Sequence, residues 1–337
     1  MKFIFLMCSE RSGSNFITRL LNGHPEICGP APKHLLNPLL RNVYRYGDLT
    51  VDHNWNALLE DVSNLLECGF TEWNTSFTIE ELNNLSTDRR LAELVKGIYE
   101  TEAKSLGKSL VFIKENHCHL YMENLINIFP DSSFVYLVRD PRDMALSWKK
   151  NRSIKGGVVQ AATAWKDDQV NFSKYFNVLQ QQNKGFFLSY EELVNETEVV
   201  LPNLCKFLKV DYCSTMLDFH EDELNIKNAS KQDAWKNLSK AVMKGNTDKY
   251  KQELTNNEIR CIESILRYDM HFFGYSLVSH EDDLNMVTQA CIENLNQVEL
   301  SSLVEEQSEP VKAVNRAKTS FYQRRLDDIN DNYLSKS

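Results

Sequence analysis

The start of the chain constrains the fold most. An apolar run from Lys2 to Met7 gives way to Cys8-Ser9-Glu10-Arg11-Ser12-Gly13-Ser14-Asn15, and then to Phe16, Ile17, Leu20 and Leu21 at helical spacing. A short Phe- and Ile-rich run reads as a strand, a Ser/Gly cluster as a turn, and the 3–4 spacing as a helix. That order is the phosphate-binding unit of nucleotide-binding α/β proteins. Backbone N–H groups of the turn and of the helix start point at an anion, and the helix dipole adds positive potential there. A plain Ser/Gly turn with a solvated arginine has the same letters, so the loop needs support from the rest of the chain.

That support comes from repetition. Leu110–Ile113 reads as a strand ending at Lys114, Phe134–Val138 as one ending at Arg139, and Gly185–Ser189 as one leading into Tyr190-Glu191-Glu192-Leu193. Helical patterns alternate with them, at Leu120 to Ile128, Leu201 to Leu208 and Glu258 to Phe273. Strands alternating with helices predict an α/β fold, a parallel sheet flanked by helices with right-handed crossovers. Helical stretches at 35–46, 51–66 and 91–106 fall between the first two strands and are expected to cover the active site. Residues 1–280 form one expected domain. Residues 281–337 form a C-terminal helical extension or tail with two amphipathic patterns, Leu284/Val287/Cys291/Leu295/Val298 and Val314/Ala317/Phe321, parted by Glu309-Pro310. A packed helix pair, a mobile tail and a homodimerisation arm all fit that pattern.

The net charge of −9 disfavours nucleic acid and anionic membrane as partners, so an anion site here has to be local. Glu10 and Arg11 cut the first apolar run too short for a signal or membrane segment, which predicts a cytoplasmic protein. The eight cysteines include no CxxC pair, so they read as reduced, packed thiols, and no metal site is expected.

Against the GxxxxGK[ST] loop, Cys8 replaces the first glycine, Ser14 the lysine and Asn15 the magnesium-binding hydroxyl. A magnesium-dependent NTPase is disfavoured. Arg11 instead supplies forked donors suited to phosphate or sulfonate oxygens. A second anion site is Arg139 at a strand end with Ser147 in the helix that follows, since ligands of open α/β sheets sit outside strand ends. Asp140 and Asp143 offer Arg139 an ordinary ion pair as the alternative.

Together these residues resemble the sulfotransferases that use 3′-phosphoadenosine 5′-phosphosulfate (PAPS). Arg11-Ser12-Gly13-Ser14-Asn15-Phe16 is similar to that family's 5′-phosphosulfate loop, and Arg139 with Ser147 to its 3′-phosphate motif. Lys244-Gly245 is similar to its late Arg-Lys-Gly loop, with Met243 standing where the family has arginine. Ser189-Tyr190-Glu191-Glu192-Leu193 and Gly274-Tyr275 resemble two further family segments, the tyrosine of the first lying near the nucleotide. The resemblance spans about residues 2 to 278. It implies the P-loop nucleotide-kinase-like sulfotransferase fold and PAPS as donor, with adenosine 3′,5′-bisphosphate as product and no metal.

Sulfuryl transfer spreads negative charge over the sulfonate and the departing phosphate, so cations and aimed N–H donors carry much of the catalysis. Arg11 and Lys114 are the candidates, Lys114 matching the family's lysine by position. A base must take the acceptor's proton. His117 ranks first, His34 second and Glu115 third, while His24 reads as structural. The acceptor is expected to be a small molecule bearing a hydroxyl or amine, selected by residues 30–109. A kinase-like phosphotransferase and a non-catalytic nucleotide-binding interaction protein are the alternatives.

Overall fold

A computed structural model describes residues 1–151, 154–231, 244–301 and 307–334, with side chains as far as residue 323. Five strands, β1 (Lys2–Cys8), β2 (Ile27–Cys28), β3 (Leu110–Ile113), β4 (Ser133–Val138) and β5 (Gly185–Ser189), form one parallel sheet in the order β2-β3-β1-β4-β5. Four of these are the strands read from the sequence. β2 was not anticipated, because two residues are too few to show a period.

The central strand explains why the sheet is covered on both sides. In β1, Phe3, Phe5 and Met7 point to one face, and Ile4, Leu6 and Cys8 to the other, and all are buried. Successive side chains alternate across a strand, so a run that is apolar at every position needs an apolar layer on each face.

Helix α1 (Ser14–Asn22) follows β1. Between β2 and β3 lie α2 (Leu36–Asn42), α3 (Asp52–Glu67), α4 (Ile79–Asn84) and α5 (Leu91–Ser105), the anticipated cover with one short addition. A reciprocal capping box of Thr78 and Glu81 starts α4. α6 (Met122–Ile128) joins β3 to β4, and α7 (Pro141–Lys149) and α8 (Val158–Gln181) join β4 to β5. Asp140 accepts from the Arg142 N–H as the cap of α7, with Pro141 in its first turn.

Helix α8 carries an apolar stripe, Val158, Ala162, Trp165, Phe172, Phe176 and Leu179, packed on the sheet. Two polar residues, Asp168 and Gln169, interrupt that stripe and are nonetheless buried. After the sheet come α9 (Tyr190–Asn195), α10 (Thr197–Leu208), α11 (Glu223–Ser230), α12 (Tyr250–Glu253) and α13 (Asn256–Phe272). The layer beneath α1, α9 and α10 is a second core, around Ile4, Leu6, Val135 and Leu204.

The C-terminal region forms α14 (Glu281–Asn285), α15 (Gln289–Ser301) and α16 (Glu309–Leu334). The first amphipathic pattern is therefore divided, with Leu284 on α14 and Cys291 to Val298 on α15. Glu299 of α15 accepts from the Val158 N–H at 2.8 Å and so caps the start of α8. α16 is packed rather than free: Val314 and Phe321 are buried against α2, α3 and the turn carrying Tyr46, whose ring centroid lies 6.3 Å from that of Phe321. Among the described residues no helix is long and apolar enough to cross a membrane.

Candidate active site

Sheet order builds the site. β3, β1, β4 and β5 lie side by side, so the residues that follow them form a line along one edge: Lys114, the Ser9–Gly13 loop, Arg139 and Tyr190. Register brings Val138 opposite Ser189, which sets Arg139 level with Tyr190. The chain continues from β1 to one side and later returns on the other, so the crevice at this edge is the switch point of the topology, where such sheets take ligands.

The loop is fixed from several directions. Gln169 donates to Ser9 Oγ at 2.8 Å and accepts from the Tyr136 hydroxyl at 2.6 Å. Arg11 and Gly13 both adopt left-handed backbone, with φ of 66° and 90°. A β-carbon on Gly13 would lie 2.3 Å from Cδ2 of Tyr190, so the close approach of loop and ring requires glycine. Gly13 also begins α1 without a side-chain cap, which leaves first-turn N–H groups for a ligand.

Arg11 Nε donates to Ser147 Oγ at 3.1 Å, and Arg139 Nη1 donates to the Arg11 carbonyl at 2.9 Å. The Arg139 guanidinium stacks 4.3 Å from the Tyr190 ring centroid. Asn246 donates to the Tyr190 hydroxyl at 2.6 Å, and the Gly245 N–H donates to Asn195 Oδ1 at 3.1 Å. The Asp143 carboxylate accepts from the N–H groups of Asp248 and Tyr250 at 2.7 and 2.9 Å, tying the late loop to α7. Arg11, Ser147, Arg139, Tyr190 and the Gly245-Asn246 loop thus share one crevice. Lys244 is exposed at the start of that loop, and Met243 lies outside the described residues.

Two further placements settle alternatives left open by the sequence. Arg139 does not pair with Asp140. That carboxylate is taken by Arg142 at 2.7 Å, which also meets Glu263 at 2.6 Å. His24 is a structural residue, its Nε2 lying 2.7 Å from the Asp211 carbonyl and its Nδ1 accepting from the Glu26 N–H at 3.0 Å. Phe16 does not join the crevice with its side chain. It packs edge-on against Phe219, with ring centroids 5.7 Å apart, in the core beneath. The Tyr275 hydroxyl donates to Glu191 at 3.0 Å, linking the Gly-Tyr segment to α9.

A pocket of about 280 Å³ adjoins this crevice, lined by Arg11, Ser14 and Asn15 together with His34, Lys114, Glu115 and His117. Burial lowers the pKa of Lys114, with Glu10 and Glu115 among the groups opposing it. Burial pushes the Glu115 carboxyl up to about 7, against Lys318 and the Leu35 N–H, which donates to Glu115 Oε1 at 2.8 Å. His34 is held well below the ordinary histidine value, first by burial and then by Lys318 and Lys114.

His117 moves the other way. Its Nδ1 lies 3.6 Å from Asp168 Oδ1 and its Nε2 lies 4.0 Å from Glu10 Oε1, and its pKa is raised chiefly by the interaction with Asp168. The same Asp168 oxygen lies 3.5 Å from His119 Nδ1, while burial lowers the pKa of His119. Asp168, Gln169, Glu10 and Lys318 were all missed in the sequence reading. For Asp168, Gln169 and Lys318 the available signal was a polar residue inside an otherwise apolar helical stripe.

The family model described as "Sulfotransferase family" matches residues 4–214. Several solved structures resemble the chain, two of them sulfotransferase domains. One is the sulfotransferase domain from the Synechococcus PCC 7002 olefin synthase, with 20% identity, a TM-score of 0.54, and coverage of 82% of this chain and 96% of that one. The other is the sulfotransferase domain from the curacin biosynthetic pathway, with 19% identity, a TM-score of 0.55, and coverage of 82% and 98%. At these identities the likeness is one of fold. Among curated proteins, none matches the chain.

Proposed function

The chain belongs to the sulfotransferase family, and from that premise we propose that it moves the sulfuryl group of PAPS to a hydroxyl or amine of a small acceptor by in-line displacement. One observation carries the reading: the turn after β1, the Arg139–Ser147 pair and the Gly245-Asn246 loop meet at a single crevice, as a nucleotide with phosphates at both ends requires. Fold alone would not give this function.

The residues fit such a donor on structural grounds. Ser12 Oγ and Arg139 Nε are buried and have no protein hydrogen-bond partner among the described residues. Buried polar atoms are otherwise nearly always paired, and an anion's oxygens would satisfy both. Gly13 opens the cradle that a β-carbon would close. Ser12, Gly13, Ser14 and Asn15 are assigned to the 5′-phosphosulfate, and Arg139, Ser147, Lys244 and Gly245 to the 3′-phosphate. Tyr190 supports Arg139 and borders the nucleotide. Bound there, the donor supplies an activated sulfuryl group whose leaving phosphate is already anionic.

The chain's own residues then have three tasks. Arg11 and Lys114 hold positive charge where negative charge develops, in a setting where burial strengthens their effect. His117, beside Asp168, takes the acceptor's proton, while burial favours the neutral form of His34 more than in an ordinary histidine. α2 forms part of the wall at the reacting end through Asn37 and Pro38.

The test begins with adenosine 3′,5′-bisphosphate titrated into the protein by calorimetry, followed by labelled PAPS with a panel of hydroxyl and amine acceptors. Tight binding that Arg139→Ala weakens by about 10- to 100-fold is expected, from the loss of charge-assisted bonds. No binding, or magnesium-dependent phosphate transfer from ATP in its place, would overturn the assignment.

A further inference from the structure

One wall of the pocket has no role in the function proposed above. Helix α16 turns Val311, Val314, Lys318 and Phe321 to one side at helical spacing, and Val314 and Phe321 are buried against the cover. Lys318 is a charge inside that apolar stripe. A lysine in such a place commonly carries its ammonium out to water, but this one lines the pocket together with His34, Lys114 and Glu115. Among the described residues it makes no hydrogen bond and has no carboxylate at ion-pair distance. Burial lowers its pKa, while Glu115 and Glu10 act in the opposite direction from further away.

Lys318 is half-buried, and an ammonium partly withdrawn from water without a close partner is left with a cost that an anion delivered by a ligand offsets. The other cations of the pocket already have tasks. Arg11 is hydrogen-bonded to Ser147 at the nucleotide end, and Lys114 stands at the end of β3 beside the loop. Lys318 arrives from the element most distant in sequence from that loop. Beside it, Val311, Val314, Phe70 and Ile154 offer apolar surface to a short hydrocarbon body. The pocket volume of about 280 Å³ lies just below the range of roughly 300–1,000 Å³ for ligand sites, which suits a small molecule.

We propose that Lys318 recognises a carboxylate carried by the acceptor itself, on the same small molecule as the hydroxyl or amine that receives the sulfuryl group, so that α16 is a specificity element of the reaction. The inference rests on the sulfuryl-transfer reading given above. The same ammonium is chemically suited to the donor's sulfonate, and the experiment separates those two anions.

Short aliphatic and aromatic hydroxy acids are compared with their methyl esters as acceptors, in the full-length wild type, Lys318→Met and Lys318→Arg. Folding of each variant is checked by its thermal transition with and without adenosine 3′,5′-bisphosphate. In the wild type, the acid is expected to be preferred over its ester. In Lys318→Met that preference falls by about 10- to 100-fold, carried by KM for the acid, as loss of a charged hydrogen bond predicts, and Lys318→Arg restores it. Calorimetry reads whether each acid binds the complex with adenosine 3′,5′-bisphosphate, so binding is seen even without turnover.

If no acid binds that complex, or acid and ester fall together in Lys318→Met, the proposal is overturned. A rise in KM for PAPS with the acid preference intact assigns Lys318 to the sulfonate and overturns it as well. Absence of adenosine 3′,5′-bisphosphate binding in the wild type is a different failure. It removes the donor assignment first and this inference with it.

Discussion

The two ends of the crevice are built by different means. At the end proposed for the nucleotide, side chains are locked to one another: Arg11 to Ser147, Arg139 to the Arg11 carbonyl and the Tyr190 ring, Asn246 to Tyr190, Asp143 to two N–H groups. At the end proposed for the acceptor, Lys114 and Lys318 have no ion pair among the described residues, and Glu115 and His34 are displaced from their ordinary pKa values chiefly by burial. A donor common to a whole family suits a fixed cradle, preorganised so that little ordering is left for the binding event. Charge development and proton transfer suit groups whose protonation is poised by their surroundings. Substitutions at the first end should therefore act on donor affinity, and those at the second on turnover and pH dependence.

The largest expected effect tests the acceptor end. Lys114→Met keeps the length of the side chain and removes the charge. It should lower kcat by about 10²- to 10³-fold, the range for removing one group that stabilises transition-state charge. Affinity for adenosine 3′,5′-bisphosphate, which lacks the sulfonate, should change little by calorimetry. A loss of nucleotide affinity as large as the loss of kcat would erase the distinction between the two ends.

Glu115 gives the next effect, read as stability. Its folded value of about 7 lies above the ordinary 4.5. Below pH 4.5 it is protonated folded or unfolded and favours neither state. Between 4.5 and about 7 the unfolded chain ionises while the folded chain keeps the proton's cost, so stability is lost as pH rises through that window and levels off above it. The gap corresponds to on the order of 3 kcal/mol. Glu115→Gln retains an oxygen for the Leu35 N–H and cannot ionise. Urea unfolding at about pH 5 and about pH 8 should show the variant gaining on the wild type by about that amount. Parallel pH profiles would mean that Glu115 is not held in an ion-hostile site.

A smaller effect separates the two candidate bases. The Asp168 carboxylate is the main reason that the pKa of His117 is raised. Asp168→Asn should therefore move the acid limb of the kcat/KM profile to lower pH. It should also reduce kcat by about tenfold, part of the 10²–10⁴ that a positioned base contributes. If Glu115 takes the proton, the limb stays near 7 in this variant and His117 loses the role.

The same division explains what could be read from the sequence. Lys114, Arg11 and Arg139 each end an apolar run or follow it directly, and parallel strands place their ends in one row. A local pattern plus one topological rule was therefore enough to bring them together. Nothing comparable joins Asp168 or Lys318 to the site. Asp168 belongs to a long helix whose stripe it interrupts, and Lys318 lies some three hundred residues from the loop it faces. Their places depend on how α8 and α16 pack, which the spacing of apolar residues does not specify. For the same reason, residues 30–109, expected to select the acceptor, supply only part of the pocket wall. His34 and Phe70 come from that stretch, but Val311, Val314 and Lys318 come from the C-terminal extension.

The smallest effect returns to the nucleotide end and tests whether its cross-links act together. Among the described residues, Asn246 reaches the proposed donor site through the Tyr190 hydroxyl, at 2.6 Å, while Tyr190 in turn faces Arg139 and fills the space beside Gly13. Asn246→Ala deletes one neutral hydrogen bond, worth about 0.5–1.5 kcal/mol, and leaves the ring in place. KM for PAPS and the dissociation constant of adenosine 3′,5′-bisphosphate should both rise by about 2- to 10-fold, with kcat nearly constant. Tyr190→Phe removes the same bond from the other side, so the double variant should be no worse than either single one, because two groups sharing one bond are not additive. Additive losses would show that Asn246 and Tyr190 act separately, and the nucleotide end would then be a set of independent contacts.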